Sequence, residues 1–198
     1  MFESFVAFLG TQFRGPVTFS RRLRLGTAPN IPKRQTRFKG GLSWKNVQFA
    51  DRVEFESATM DRNFHCITTT FDSTMSFSDS RVAGFYMHGT QFKAETTFLG
   101  CAFTETTRFE KVNFELGANF SGSTFTGETE FGPWNYSRPI YFTGSTFESR
   151  TSFHAASNWD RLRMPWSHIP EALSTIMGSV QPDLVFPTPW PGPRLAAP

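Results

Sequence analysis

Residues 92–153 read FKAETTFLGCAFTETTRFEKVNFELGANFSGSTFTGETEFGPWNYSRPIYFTGSTFESRTSF. An aromatic ring returns after alternating steps of six and five residues: Phe92, Phe98, Phe103, Phe109, Phe114, Phe120, Phe125, Phe131, Tyr136, Phe142, Phe147 and Phe153. From Phe98 to Phe153 ten steps cover 55 residues, a mean period of 5.5. In a helix that period is about one and a half turns, so successive rings would fall on opposite faces. The spacers are Thr, Ser, Gly and Asn, which also argue against a helical 11-residue repeat. In one straight strand, steps of five and six would keep flipping the rings between faces. The chain must therefore turn once per step.

Two residues before each ring stands Thr90, Thr96, Cys101, Thr107, Val112, Ala118, Ser123, Thr129, Trp134, Ile140, Ser145 or Thr151. Apart from Trp134 and Ile140 these are small or β-branched, and a spacing of two puts them on the face of the ring. After the rings come turn-tolerant pairs such as Ser121-Gly122, Thr126-Gly127, Gly132-Pro133 and Thr143-Gly144. Each unit reads as a very short strand that buries one small and one large side chain, followed by a corner. Such units must stack, which is the signature of a solenoid.

The units ANFSG, STFTG, TEFGP and STFES resemble those of the pentapeptide-repeat proteins: a small residue, a polar residue, a central Leu or Phe, then two polar residues. Here alternate units carry one extra residue. The resemblance implies an all-β fold, a right-handed quadrilateral parallel β-helix with four units per coil. A coil would take about 22 residues and rise by about 4.8 Å. It also implies a bacterial, cytoplasmic, non-enzymatic protein that needs no cofactor.

The chain of 198 residues is 38% hydrophobic and 16% aromatic, enough for one core. The repeat accounts for most of its 24 Phe. Cys66 and Cys101 fall at inward positions far apart in the stack, so two buried thiols are expected rather than a disulfide. No apolar run approaches the length of a membrane span and no signal-like leader opens the chain.

Phe2, Phe8, Phe13 and Phe19 already keep the repeat spacing, so residues 1–20 read as a partial N-terminal coil. Such a coil is either uncapped, with exposed Phe edges, or the downstream part of a longer ancestral solenoid. Residues 21–37 interrupt the repeat with Arg21, Arg22, Arg24, Lys33, Arg34 and Arg37 and no acid. A basic loop of this kind could meet phosphate or an acidic partner. Its cations are split by neutral residues with little aromatic interleaving, which weighs toward a solvated excursion.

The β-helix proper is expected over residues 38–159. Two of its units look inverted, with Phe64 before Cys66 and Phe85 before Met87, and steps of five on both sides of Met87 predict a bulge or a local change of cross-section over 82–92. Residues 160–180 read as a C-terminal cap. Within it PEALSTIMG predicts a short helix from Pro170, with Leu173, Ile176 and Met177 on one face and Gly178 as the stop. Residues 181–198 read as a Pro-rich disordered tail.

The chain carries no HExxH, Cys-x-x-Cys, Walker loop or Gly-x-Ser-x-Gly motif, and His65, His88, His154 and His168 are scattered along it. No catalytic, cofactor-binding or metal-binding residue is therefore singled out, and no small-molecule substrate is expected. Most Thr are expected at inward positions or corners, against a flat ice-binding face. Some proteins of the resembled family protect DNA gyrase from quinolones by imitating duplex DNA, with a homodimer formed through the C-terminal end. From Phe38 to Trp159 there are 13 acidic and 10 basic residues, well short of a duplex's one charge per about 1.7 Å. The first expectation is thus a scaffold for binding another protein, and the alternative is a gyrase-protecting DNA mimic. Mixed walls favour the former and a continuous negative stripe the latter.

Overall fold

The structure, a computed structural model, describes residues 1–19 and 36–154 and the backbone of the strands Leu162–Arg163 and Ser174–Met177. Strands of two to four residues, each ended by a corner, wind round four parallel sheets of eight, six, seven and six strands. We call these the first to fourth walls, in the order the chain meets them. They begin at Val6–Leu9, Gln12–Phe13, Val17–Phe19 and Arg37–Phe38. Each strand pairs with its equivalent one coil on: Leu42 sits beside Phe64, 22 residues later, and Thr107 beside Thr129. Among the described residues there is no helix.

The stacked coils put equivalent side chains one above another, and the rings fill the inside. On the second wall Phe13, Phe49, Phe71, Phe92 and Phe114 form a column with centroids 5.0, 5.0, 4.7 and 5.1 Å apart and planes within 10° of parallel. That spacing is the distance between hydrogen-bonded strands, so the backbone ladder and the ring stack enforce the same rise. From Phe38 to Phe153 the repeat's rings are buried.

The small positions are polar yet buried, and the corners explain why. Ser123 Oγ donates to the Phe98 carbonyl at 2.5 Å and Ser145 Oγ to the Phe120 carbonyl at 2.8 Å. Thr129 and Thr151 donate to the Gly127 and Ser149 carbonyls, each at 3.0 Å. A bend leaves carbonyls that no strand partner reaches, and a short hydroxyl satisfies them from inside. Cys66 and Cys101 are buried free thiols, and burial pushes both up to about 12.

The inverted units keep the core full by exchanging columns. Phe64 pairs with Phe85, and Cys66 with Met87. Phe85 reaches Phe103 on the fourth wall at 5.2 Å, the column where Val82 replaces a ring. The irregularity expected over 82–92 is a shortened corner and not a bulge. Only Ala83 and Gly84 separate the strands ending at Val82 and beginning at Phe85, where three residues separate Met60 from Phe64. Register continues on both sides. A Cβ on Gly84 would meet the amide end of the Asn63 side chain, which would have to turn aside. The ring stack loosens here: Phe77 and Phe98 on the third wall stand 5.9 Å apart, against 4.2 Å for Phe55 and Phe77.

The interruption after residue 20 does not disturb the stack. Phe19 pairs with Phe55 and Phe38 with Met60, so the strands on either side of it keep the register of the stack. Arg21, Arg22, Arg24, Lys33 and Arg34 lie outside the described residues, as do His168 and the tail 181–198. The first coil's Phe8, Phe13 and Phe19 are only partly buried.

The expected cap helix over 170–178 is corrected over its four described residues. Ser174–Met177 is a strand, paired in parallel with Thr151–His154 on the first wall. The last complete first-wall strand would otherwise present a row of unpaired backbone groups, and satisfying that row outweighs the local helical pattern. A nine-residue helix is also below the length that persists on propensity alone, and Thr175 and Ile176 favour extended backbone.

Candidate functional site

With the rings turned inward, whatever this molecule recognises must meet the alternating residues that its walls turn outward. Opposite walls differ sharply. The first wall gathers the three described histidines. Each flanks an inward position of that wall (Cys66, Met87 or Phe153), which is why residues scattered in sequence meet in space.

Here Tyr86 packs between imidazoles, 5.9 Å from His65 and 6.3 Å from His88, and its hydroxyl donates to Glu110 Oε2 at 3.4 Å. His88 Nδ1 lies 3.2 Å from the same oxygen, close enough for charge attraction though off the line of a hydrogen bond. Its neighbouring imidazole, aided by Lys111 and Tyr86, holds the Glu110 carboxyl below the usual range. Partial burial and then Glu110 push the Tyr86 phenol up. One coil on, Glu130 pairs with Arg108 Nε at 3.2 Å and His154 Nε2 at 2.9 Å. A shallow depression lined by Arg108, Glu128, Glu130, Arg150, Ser152 and His154 lies beside these pairs. Among the described residues no three His, Cys, Asp or Glu side chains converge as a metal site.

The second wall is a ladder of amides tied to carboxylates. Gln48 donates to Asp72 at 2.6 Å and Gln91 to Glu115 at 2.8 Å. Lys93 Nζ lies 2.8 Å from Asp72 and, ahead of Gln48, lowers that carboxyl. On the fourth wall Arg37 is the first residue of a strand and not part of a loop, and its Nε contacts Asp61 at 2.7 Å. The one candidate loop residue that is described is thus committed to the wall. On this wall Thr59, Thr124 and Thr146 occupy outward strand positions.

The third wall faces away from the first and is built of different material. Between Glu54 and Glu56 on one side and the strand Leu162–Arg163, which pairs Arg163 with Tyr141, on the other, its outward residues are Ser76, Ser78, Thr97, Leu99, Asn119, Ser121, Tyr141 and Thr143, none of them charged. They bond to one another: Thr97 to Ser76 at 3.1 Å, Ser76 to Ser78 at 3.0 Å, and Ser121 to Asn119 at 2.6 Å. Beyond the first coil the exposed large apolar side chains among the described residues are Leu99, Leu116 and Tyr141, at 38%, 48% and 41%. Two stand on this wall and Leu116 stands at the corner leading onto it. A depression runs across three coils here, lined by Glu95, Thr97, Leu116, Gly117, Asn119, Pro139 and Tyr141. Its floor is backbone: Gly117 has φ +81, and a Cβ there would collide with the Pro139 carbonyl.

Sequence reasoning singled out the basic loop and missed this wall. The signal was available as the lack of charge beside Phe77, Phe98, Phe120 and Phe142, which is visible only when every fourth unit is read together.

Comparison with known proteins agrees with the repeat. Residues 88–134 match a family model described as pentapeptide repeats (9 copies). No curated protein and no solved structure gives a match.

Proposed function

The chain belongs to the pentapeptide-repeat family, and from that premise we propose that it is a non-enzymatic protein-binding scaffold whose third wall is the docking surface. The observation that carries this reading is the uncharged stretch of wall from Met75 to Tyr141, with Leu99, Leu116 and Tyr141 exposed on it. The centre of a protein interface is depleted in charge and enriched in aromatic side chains. Its polar groups already satisfy one another within the wall, so covering them strips few strong hydrogen bonds to water. The stacked core beneath holds the surface rigid, which lowers the ordering cost of binding.

The DNA-mimic alternative draws less support. Acids are distributed over all four walls, as Glu54, Asp61, Asp72, Glu110, Glu115 and Glu130 illustrate. Of these, Glu54, Asp61, Asp72, Glu110 and Glu130 stand within ion-pair distance of Arg, Lys or His. Such a surface offers no continuous row of phosphate-like charge.

Site-specific photo-crosslinking tests the scaffold reading. A crosslinking side chain at Thr97 or Asn119 in living cells should give a discrete adduct with another protein, and one at Thr124 or Gln48 should not. Adducts of equal yield from all four positions, or none from the third wall, would refute it. A supercoiling assay with purified gyrase, with and without quinolone, should show no effect of the chain.

A further inference from the structure

Resting on that reading of the third wall, we infer that the depression between Leu116 and Tyr141 receives an extended segment of a partner protein that presents an apolar side chain with a Lys or Arg two or three residues away. Leu116 and Tyr141, on adjacent coils, leave an apolar gap floored by the Gly117 and Pro139 backbone. Among the described residues the one charged side chain lining the depression is that of Glu95, one coil below Leu116, and it has no ion-pair partner there. An apolar anchor seated between Leu116 and Tyr141 therefore stands about one to two coils, or about 5–10 Å, from the free carboxylate. In an extended chain that distance is about two or three residues. The rim offers the Thr97 hydroxyl oxygen as an acceptor and the Asn119 side-chain NH2 as a donor, beyond their bonds to Ser76 and Ser121, for the backbone of such a segment.

Size argues for a segment and against a second copy of the chain. The uncharged part of the wall covers four strands, about 15 Å of height at the strand spacing. With a width of about 12 Å it offers about 200 Å², a quarter of the roughly 800 Å² per partner of a standard stable interface.

The test is to pan a random dodecapeptide phage library on the immobilised full-length chain, then measure selected peptides by fluorescence anisotropy. Selected sequences should share an apolar residue spaced two or three positions from Lys or Arg. Leu116→Ser, at an exposed position, should leave the far-UV circular dichroism and thermal midpoint unchanged while weakening binding about tenfold. Glu95→Lys should turn the preference from basic to acidic partners, and Lys45→Ser on the first wall should change nothing. Three results would overturn the inference: no shared pattern, binding indifferent to Leu116→Ser and Glu95→Lys, or a dimer in sedimentation that Leu116→Ser dissociates. Third-wall adducts without peptide selection would sink this inference alone and leave the scaffold reading standing.

Discussion

Two indoles in the core make different predictions for the same substitution. Trp44 is fully buried, and its Nε1 has no hydrogen-bond partner. Trp134 Nε1 donates to the Phe109 carbonyl at 2.9 Å. Replacing either by Phe removes about 40 Å³, which costs about 1 kcal/mol at the usual rate for residual cavities. At Trp44 the change also removes a buried donor that has lost its water, a penalty of about 1–3 kcal/mol. The ring of Phe64 stands 5.0 Å away at 88°, and a contact with its π face returns no more than about 0.5–1 kcal/mol of that. Trp44→Phe should therefore fall between a loss of about 1 kcal/mol and a gain of about 2 kcal/mol. At Trp134 the change deletes a made bond worth about 1 kcal/mol. The Phe109 carbonyl keeps the Gly132 N–H at 2.8 Å, so it is not orphaned, and the total loss should be about 2 kcal/mol. Urea unfolding followed by far-UV circular dichroism compares the two midpoints at constant slope. Equal destabilisation by the two variants would show that the reasoning about the orphan donor is wrong.

Three further outcomes are expected. Phe120→Ala should cost about 3–5 kcal/mol, since its ring stacks on Phe98 at 4.6 Å and Phe142 at 4.9 Å and a cavity at mid-stack cannot collapse; chemical denaturation measures it. Thr68→Gly should stabilise, by about 1 kcal/mol in calorimetry, because Thr68 is a β-branched residue held at φ 49. Lys93→Met should flatten the acid limb of the stability curve. Lys93 lowers the Asp72 carboxyl from 3.8, so its contribution is present above that value and is lost as pH falls through the depressed folded-state value. Removing the cation should shrink that loss, as read by denaturant midpoints from pH 5 down to pH 2.

The interior was legible from sequence because one side-chain type marks it. Phe98, Phe103, Phe109 and Phe114 stand at intervals that neither helix nor straight strand can bring to one side, so the corners could be inferred without seeing them. The short corner at Ala83–Gly84 was half legible. The paired steps of five gave its place, and its form, with Gly84 lying against Asn63, shows only in the fold. The end of the stack was not legible. PEALSTIMG carries a good helical pattern, but the hydrogen-bonding need of Thr151–His154 acts across more than twenty residues of chain, and no local window contains it.

The outer surface was the least legible part, for a reason inherent in a four-sided repeat. Residues one unit apart go to different walls, so neighbours in sequence report on different surfaces. Glu105, Glu110 and Glu115 read as an evenly spaced acidic series, yet they fall at a corner, on the first wall beside His88, and on the second wall one coil above Gln91. Conversely, residues about 22 apart that look unrelated share a face. Leu99, Asn119 and Tyr141 have no common pattern along the chain, and only stacking makes them one neutral surface beside Leu116. A substitution that is conservative within its unit can therefore be decisive for its wall. Asn119→Asp, mild by local criteria, would place the only charge among those outward residues. In a fold that spends its rings on the interior, recognition rests on which wall is left without charge, and that is a property of every fourth unit.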